Sequence, residues 1–216
     1  MDNCIFCDRS KISEDILYES PNFFVKVGFA LYSAGQVMLI PKKHYDCFGD
    51  LPDELEGEKQ KLEDILMKEI SRKFSEPFQV EMGKWGQSVK HAHTHFVPLV
   101  NRSSGNSYQI KRIIQEMVVL GGGEKIDYEE VSVSALKKIY HEEGGYVSIK
   151  QSGRLYVCHV KDIPLDPINL HPQLTLRGFF SKVKGISGVT SWREMSQEDK
   201  LIDNEKREQT KSKLFF

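Results

Sequence analysis

The chain has 216 residues, and 30 Lys and Arg face 31 Asp and Glu, for a formal charge of −1. That balance excludes a nucleic-acid coat or a membrane surface bound through global charge. No apolar run reaches the ~20 residues that cross a bilayer. The length suits one large domain, or a core with a sizeable appendage.

Asp15–Glu19 and Phe23–Val27 read as two short strands around the turn signal Ser20-Pro21-Asn22. Gln36–Ile40 is a nearly continuous apolar run, expected as a central strand stopped by Pro41. After Leu51-Pro52-Asp53, the spacing of Leu55, Leu62, Leu66 and Ile70 predicts a helix that ends near Phe74, before Pro77. Phe78–Glu81 and Val89–Pro98 read as further strands. The expected class is therefore α+β, an antiparallel sheet with one long helix across it. The composition turns polar after Asn101, placing a boundary at 104/105. Beyond it, helices are expected over 108–120, 133–143 and 176–183, with a hairpin of Tyr146–Ile149 and Leu155–Val160, and a charged helix or frayed tail from Glu198 to Leu214. Residues 105–216 thus form a C-terminal α/β extension of unassigned role.

The N-terminus, Met1-Asp2-Asn3-Cys4, has no basic segment leading into an apolar run, so a cytoplasmic location is expected. There thiols stay reduced, and paired cysteines hold metal more often than each other. Cys4-Ile5-Phe6-Cys7 is the half of a zinc site that one tight turn delivers; a redox pair and two ordinary thiols are its alternatives. Nothing before Cys4 forms the strand that a redox CxxC normally follows. With no second CxxC, further ligands must be histidines, and His44, just past the central strand, is the best placed. Cys47 and Cys158 read as packing thiols.

Three of the seven histidines, His91, His93 and His95, occupy alternate positions. On a strand all three would share one face, about 6.6 Å between neighbours and about 13 Å end to end. The outer pair would be too far apart to share an ion whose bonds to nitrogen are about 2 Å. A purely structural row would need a hydrogen-bond partner for each ring. Neutral imidazole is also a nucleophile and an acid or base near neutral pH. Upstream, Gly86-Gln87-Ser88 offers backbone N–H groups and a hydroxyl beside the row, as a phosphate cradle does.

The run Gly86-Gln87-Ser88-Val89-Lys90-His91-Ala92-His93-Thr94-His95-Phe96-Val97-Pro98 resembles the signature of the histidine triad (HIT) superfamily. Cys4–Cys7 and the Gly35–His44 segment resemble it in order and spacing, in particular its zinc-bearing branch, so the likeness covers residues 1–104. It implies a HIT-like antiparallel sheet with a helix, a homodimer, and a nucleotide hydrolase or nucleotidyl transferase. The substrate implied is a nucleoside phosphoanhydride or phosphoramidate, cleaved through a nucleotidyl-histidine. His93 would be the nucleophile, and His95 and Ser88 would contact phosphate or the leaving group. Gly86, Gln87, Ser88, Phe6 and Phe24 would contact the nucleotide. Cys4, Cys7, His44 and His91 would hold a structural zinc with no open position. Two departures stand out: Lys26 lies where an acidic residue for the ribose is expected, and Glu81 or Met82 where an asparagine is. Rivals are a catalytically weak nucleotide-binding module with a partner-recruiting tail, and a nucleic-acid end-processing enzyme, the latter disfavoured by the balanced charge. Arg177 and Trp192-Arg193 read more readily as packing and solvated residues than as ligand contacts.

Overall fold

In the computed structural model the residues described are 4–85, 87–98, 128–159, 193 and 195–214. Their strands are β1 (Ile16–Glu19), β2 (Phe23–Val27), β3 (Val37–Pro41), β4 (Pro77–Glu81), β5 (Thr94–Pro98), β6 (Tyr128–Val131), β7 (Tyr146–Gln151) and β8 (Arg154–His159); the helices are α1 (Asp53–Lys73), α2 (Ala135–Glu143) and α3 (Gln197–Lys213). The strands form a single sheet in the order β1-β2-β3-β5-β4-β7-β8-β6, each named pair antiparallel. The α+β arrangement expected from the sequence is therefore present. The boundary at 104/105 and the helices expected over 108–120 and 176–183 lie outside the described residues, as do Arg177 and Trp192. No described helix is long and apolar enough to cross a membrane.

Helix α1 opens with Asp53, Glu54 and Glu56 and closes with Arg72 and Lys73, which matches its dipole at both ends. Leu62, Leu66 and Ile70 recur every four residues and pack with Phe23, Val25, Val37, Leu39 and Phe96 on one sheet face. Each such burial stabilises by about 1.5–3 kcal/mol. Phe24, Met38 and Ile40 point to the opposite face, where Phe6, Ile12 and Val89 cover them. A third cluster, Leu136, Ile139, Tyr146, Leu155, Val157 and Cys47, joins the extension to the turn before α1.

The extension continues the sheet itself. β7 pairs with the outer edge of β4, Glu81 opposite Ser148 and Gln79 opposite Lys150. Gly83, at φ +27°, makes the approach possible: its carbonyl accepts the Tyr146 N–H at 3.0 Å, and a Cβ there would lie 2.5 Å from Tyr146. Strand β6 was not expected from the sequence. Pro41, expected to stop β3, is its last residue, opposite Phe23.

The charged C-terminal stretch is an ordered helix over the β2–β3 connection. Ser196 and Asp199 close a capping box at its start. Its polar groups then satisfy the connection's backbone: Asp203 accepts the Leu31 N–H, Lys206 donates to the Leu31 carbonyl at 2.9 Å, and Thr210 accepts the Gly35 N–H at 2.8 Å. Arg207 bridges Asp203 at 3.1 Å and Asp15 at 2.7 Å. Leu214 ends in the core against which α1 packs.

Candidate functional site

The histidine row does not lie on one strand. β5 begins only at Thr94, because the preceding backbone bonds elsewhere: the His91 N–H turns back to the Val89 carbonyl at 2.9 Å, and the Ala92 N–H donates to the Tyr45 carbonyl at 2.7 Å. The expected common face from His91 to His95 is corrected accordingly. The rings of His93 and His95 nevertheless meet nearly perpendicular, with centroids 4.9 Å apart. His91 turns away from them, its ring 4.7 Å from that of His44.

His93 is 5% exposed, and its Nδ1 lies 2.7 Å from the His91 carbonyl. A carbonyl can only accept, so Nδ1 carries the proton and the lone pair of the neutral ring sits on Nε2. Burial pushes the His93 pKa down to about 4, the carbonyl opposes that, and the Lys26 charge adds to it. The edge of Phe6 packs on both His93 and His91, at centroid distances of 5.4 and 5.7 Å. His95 is half-buried on β5, opposite Met38 and Val80.

The remaining expected contacts divide. Ser88 is exposed beside the row. Gln87 is buried, and its amide donates to the Asp46 carbonyl at 3.0 Å, which anchors the loop. Gly86 lies outside the described residues. Phe6 and Phe24 are 1% and 0% exposed in the core, so in this conformation neither ring offers a free face.

Cys4, Cys7, His44 and His91 converge, their ligand atoms all within 4.8 Å of one another. Cys4 Sγ and Cys7 Sγ lie 3.4 and 3.5 Å from His91 Nδ1, and Cys7 Sγ lies 3.4 Å from His44 Nδ1. A zinc tetrahedron with bonds of about 2.3 Å to sulfur and about 2.05 Å to nitrogen has S···N edges of about 3.5 Å. The donor set therefore fits such an ion in both chemistry and size. His91 Nε2 donates to the Pro41 carbonyl at 2.8 Å, which leaves Nδ1 free of a proton and aimed at the thiols. Burial brings His91 down to about 4 and, with the neighbouring Cys4, lifts Cys7 to about 11, so metal and proton compete for the sulfur.

Lys26 is the neighbour whose role the sequence did not reveal. Its side chain is wholly buried, with Nζ donating to the Val27 carbonyl, 3.8 Å from Asp15 and 3.8 Å from the Phe29 ring centre. Burial pulls its pKa down to about 7 despite Asp15. The signal was a single lysine inside the apolar strand Phe23-Phe24-Val25-Lys26-Val27. It lies opposite Met38, which lies opposite His95, so the three form one row across the sheet.

Residues 9–101 match the family model of the HIT domain. An uncharacterized HIT-like protein of Methanocaldococcus jannaschii is 26% identical over 135 residues, which is 59% of this chain and 95% of that protein. A HIT family protein from Bacillus anthracis is 22% identical in a superposition covering 57% of this chain and 99% of that one, with a TM-score of 0.43. A zinc-bound histidine triad family protein from Mycobacterium smegmatis is 23% identical over 51% of this chain and 85% of its own, with a TM-score of 0.40. Residues 9–101 are thus identified as a HIT domain by the family model that matches them.

Proposed function

We propose that this protein breaks a nucleoside phosphoanhydride or phosphoramidate through His93. The observation that carries this reading is the His93 Nδ1 contact to the His91 carbonyl, which fixes the tautomer with Nε2 as the free base. In the step proposed, Nε2 attacks the α-phosphorus, an N–P bond forms, and the bond to the leaving group breaks. The leaving group departs with the electron pair and takes up a proton. Water or another acceptor then attacks phosphorus, releasing the nucleotide and restoring the ring. His95, ring against ring with His93, and Ser88 on the adjoining loop are the groups assigned to the phosphate oxygens and the leaving group.

Cys4, Cys7, His44 and His91 would hold zinc, which when bound supplies a cross-link between the N-terminal turn and the approach to β5. Four protein ligands leave it no open position, so its role would be structural. Cys4→Ser should then lower metal content from about one equivalent to a small fraction, measured by elemental analysis, and lower the melting temperature. Full zinc content in that variant would remove the assignment. In a homodimer, β1 and β6 would be the edges to examine, being the outermost strands among the described residues, since β7 covers the outer edge of β4.

Intact-mass analysis after brief incubation with a panel of dinucleoside polyphosphates and nucleoside phosphoramidates tests the chemistry. One nucleotidyl adduct on the native chain, absent from His93→Ala, is expected. Undiminished turnover by His93→Ala would overturn it. A nucleotide-binding module without useful catalysis has one observation on its side, the 5% exposure of His93. Saturable nucleotide binding with neither adduct nor turnover would favour that second reading.

A further inference from the structure

The extension reaches the histidines through one short segment. Residues 44–47 belong to no helix or strand, and only the single turn Phe48–Asp50 follows before α1. Such a segment takes its position from the groups that bond to its backbone. Toward the histidines its carbonyls do the holding: that of Tyr45 accepts the Ala92 N–H at 2.7 Å, and that of Asp46 accepts the Gln87 amide at 3.0 Å. The first of these bonds shapes the turn whose His91 carbonyl faces His93 Nδ1 at 2.7 Å. A shift of Tyr45 is therefore passed on to the ring that carries the free Nε2.

From the other side the same segment is held by Glu81 and by two tyrosines of the extension. Tyr146 is wholly buried; its hydroxyl accepts the Gly49 N–H at 3.0 Å and donates to Glu81 at 2.7 Å. The second oxygen of Glu81 accepts the Phe48 N–H at 2.6 Å. One carboxylate oxygen of Asp46 meets Lys84 at 2.8 Å and accepts from the Tyr140 hydroxyl at 3.4 Å. Room for these rings is made at Gly49, where a Cβ would lie 2.7 Å from Tyr140 Cβ and 3.0 Å from Tyr146 Cε1. A phenylalanine would fill the space of Tyr146 equally well in its cluster with Cys47, Leu136 and Val157. The hydroxyl alone joins β7 to two consecutive backbone N–H groups, to Gly49 directly and to Phe48 through Glu81. A buried hydroxyl costs free energy unless it is bonded, so its use lies in the groups it serves.

We propose that Tyr146 is a positioning residue for the reaction assigned to His93: its hydroxyl fixes residues 45–49, and these fix the Ala92 turn and the His93 ring. The extension is thereby part of the frame of the site, an inference that rests on the His93 reading only for its effect on rate. Tyr146→Phe keeps the ring and removes the hydroxyl. Hydrogen exchange in the full chain should show the Ala92 amide about tenfold or more less protected, with the amides of β2 and β3 unchanged. Nitrogen NMR of the histidine rings should show a second His93 species beside the Nδ1–H tautomer. Nucleotidyl adduct formation should slow about tenfold, while its half-saturating substrate concentration changes less than about twofold. Leu155→Ala is the control, since it loosens the same apolar cluster and leaves the hydroxyl in place. It should lower the melting temperature yet keep the Ala92 protection, the His93 signals and the rate per folded molecule. Thermal melts check folding; if Tyr146→Phe does not fold, Tyr140→Phe replaces it, with an effect of about two- to fivefold expected on the same readouts. Native Ala92 protection and native His93 signals in the folded variant would overturn the proposal and leave the His93 chemistry untouched. Protection lost alike in β2, β3 and the Leu155→Ala control would overturn it too, because Tyr146 would then only stabilise the fold. A native chain that forms no adduct counts against the chemistry given to His93, while the amide and ring signals still decide the positioning.

Discussion

On one side of β5, His95 stands beside His93 among Phe6 and Met38; on the other, Thr94, one residue away, looks onto Lys59, Glu63, Glu81 and Lys150. The first setting keeps an imidazole neutral by burying it, with a carbonyl fixing which nitrogen holds the proton. The second keeps charges charged by pairing them: burial works against the Lys59 ammonium, but Glu63, Glu56 and Glu81 together hold its pKa above the ordinary value. A single strand separates the two because alternate side chains leave on opposite faces. Chemistry and ionic structure can then sit a few ångströms apart without sharing residues.

The largest expected effect follows from the neutral face. His93→Ala should lower turnover at least about 1,000-fold, since it removes the atom proposed to attack phosphorus. It should cost only about 1–2 kcal/mol in urea unfolding, because the ring makes one hydrogen bond and edge contacts. Large loss of stability with turnover retained per folded molecule would reverse the roles given to the two faces. On the ionic face the pattern should invert. Lys59→Met leaves Glu63 with the 3.5 Å Lys150 contact alone, and breaking a buried pair costs about 3–5 kcal/mol. Urea unfolding measures it, and a cost under about 1 kcal/mol would mean that pairing does not organise this face.

The difference between the faces was only half legible in the sequence. The strands β2 and β3, the helix α1 and the hairpin of β7 and β8 follow from apolar spacing, and the cluster of Cys4, Cys7, His44 and His91 from the CxxC, the place of His44 and the family resemblance. The break before β5 was not legible, because it depends on the Tyr45 carbonyl, far away in sequence, capturing the Ala92 N–H. β6 was missed since Tyr128-Glu129-Glu130-Val131 has no alternation, its place being set by pairing with β8. The ionic face was invisible for a related reason. Gln79, Glu81, Ser148 and Lys150 share a covered face only because β7 joins β4, a pairing between residues far apart in the chain. Lys26 stood out as a lysine in an apolar strand, but nothing local indicates that Asp15 and α3 would close over it.

Each face also buries one group that titrates near neutrality, and the two pull stability in opposite directions. Burial raises Glu81 from 4.5 to about 7, so the folded state holds a proton that the unfolded state has released between those values. Stability should therefore fall as pH rises from 4.5 to 7, by on the order of 3 kcal/mol, and Glu81→Gln should flatten that slope. Burial lowers Lys26 from 10.5 to about 7, so above pH 7 the unfolded state binds the extra proton. Its contribution should rise from pH 7 toward 10.5, and Lys26→Met should remove the rise. Urea titrations at four or five pH values read both slopes. An unchanged slope in either variant would mean that its group does not carry the pH dependence.

The smallest effect concerns the edge where both faces are tied down. Thr210, fully buried on α3, accepts the Gly35 N–H at 2.8 Å and donates to the Lys206 carbonyl at 2.7 Å. Thr210→Val keeps the shape and β-branching but leaves the Gly35 N–H without an acceptor beneath the helix. The expected cost is about 1–2 kcal/mol, most of it the desolvated N–H rather than the lost bond. Hydrogen exchange localises it: the Gly35 amide should lose protection in the variant, while the amides of β7 and β8 keep theirs. Equal loss across the sheet would mean that α3 holds the whole fold rather than the β2–β3 connection, and the separation between the two faces would then extend no further than β5.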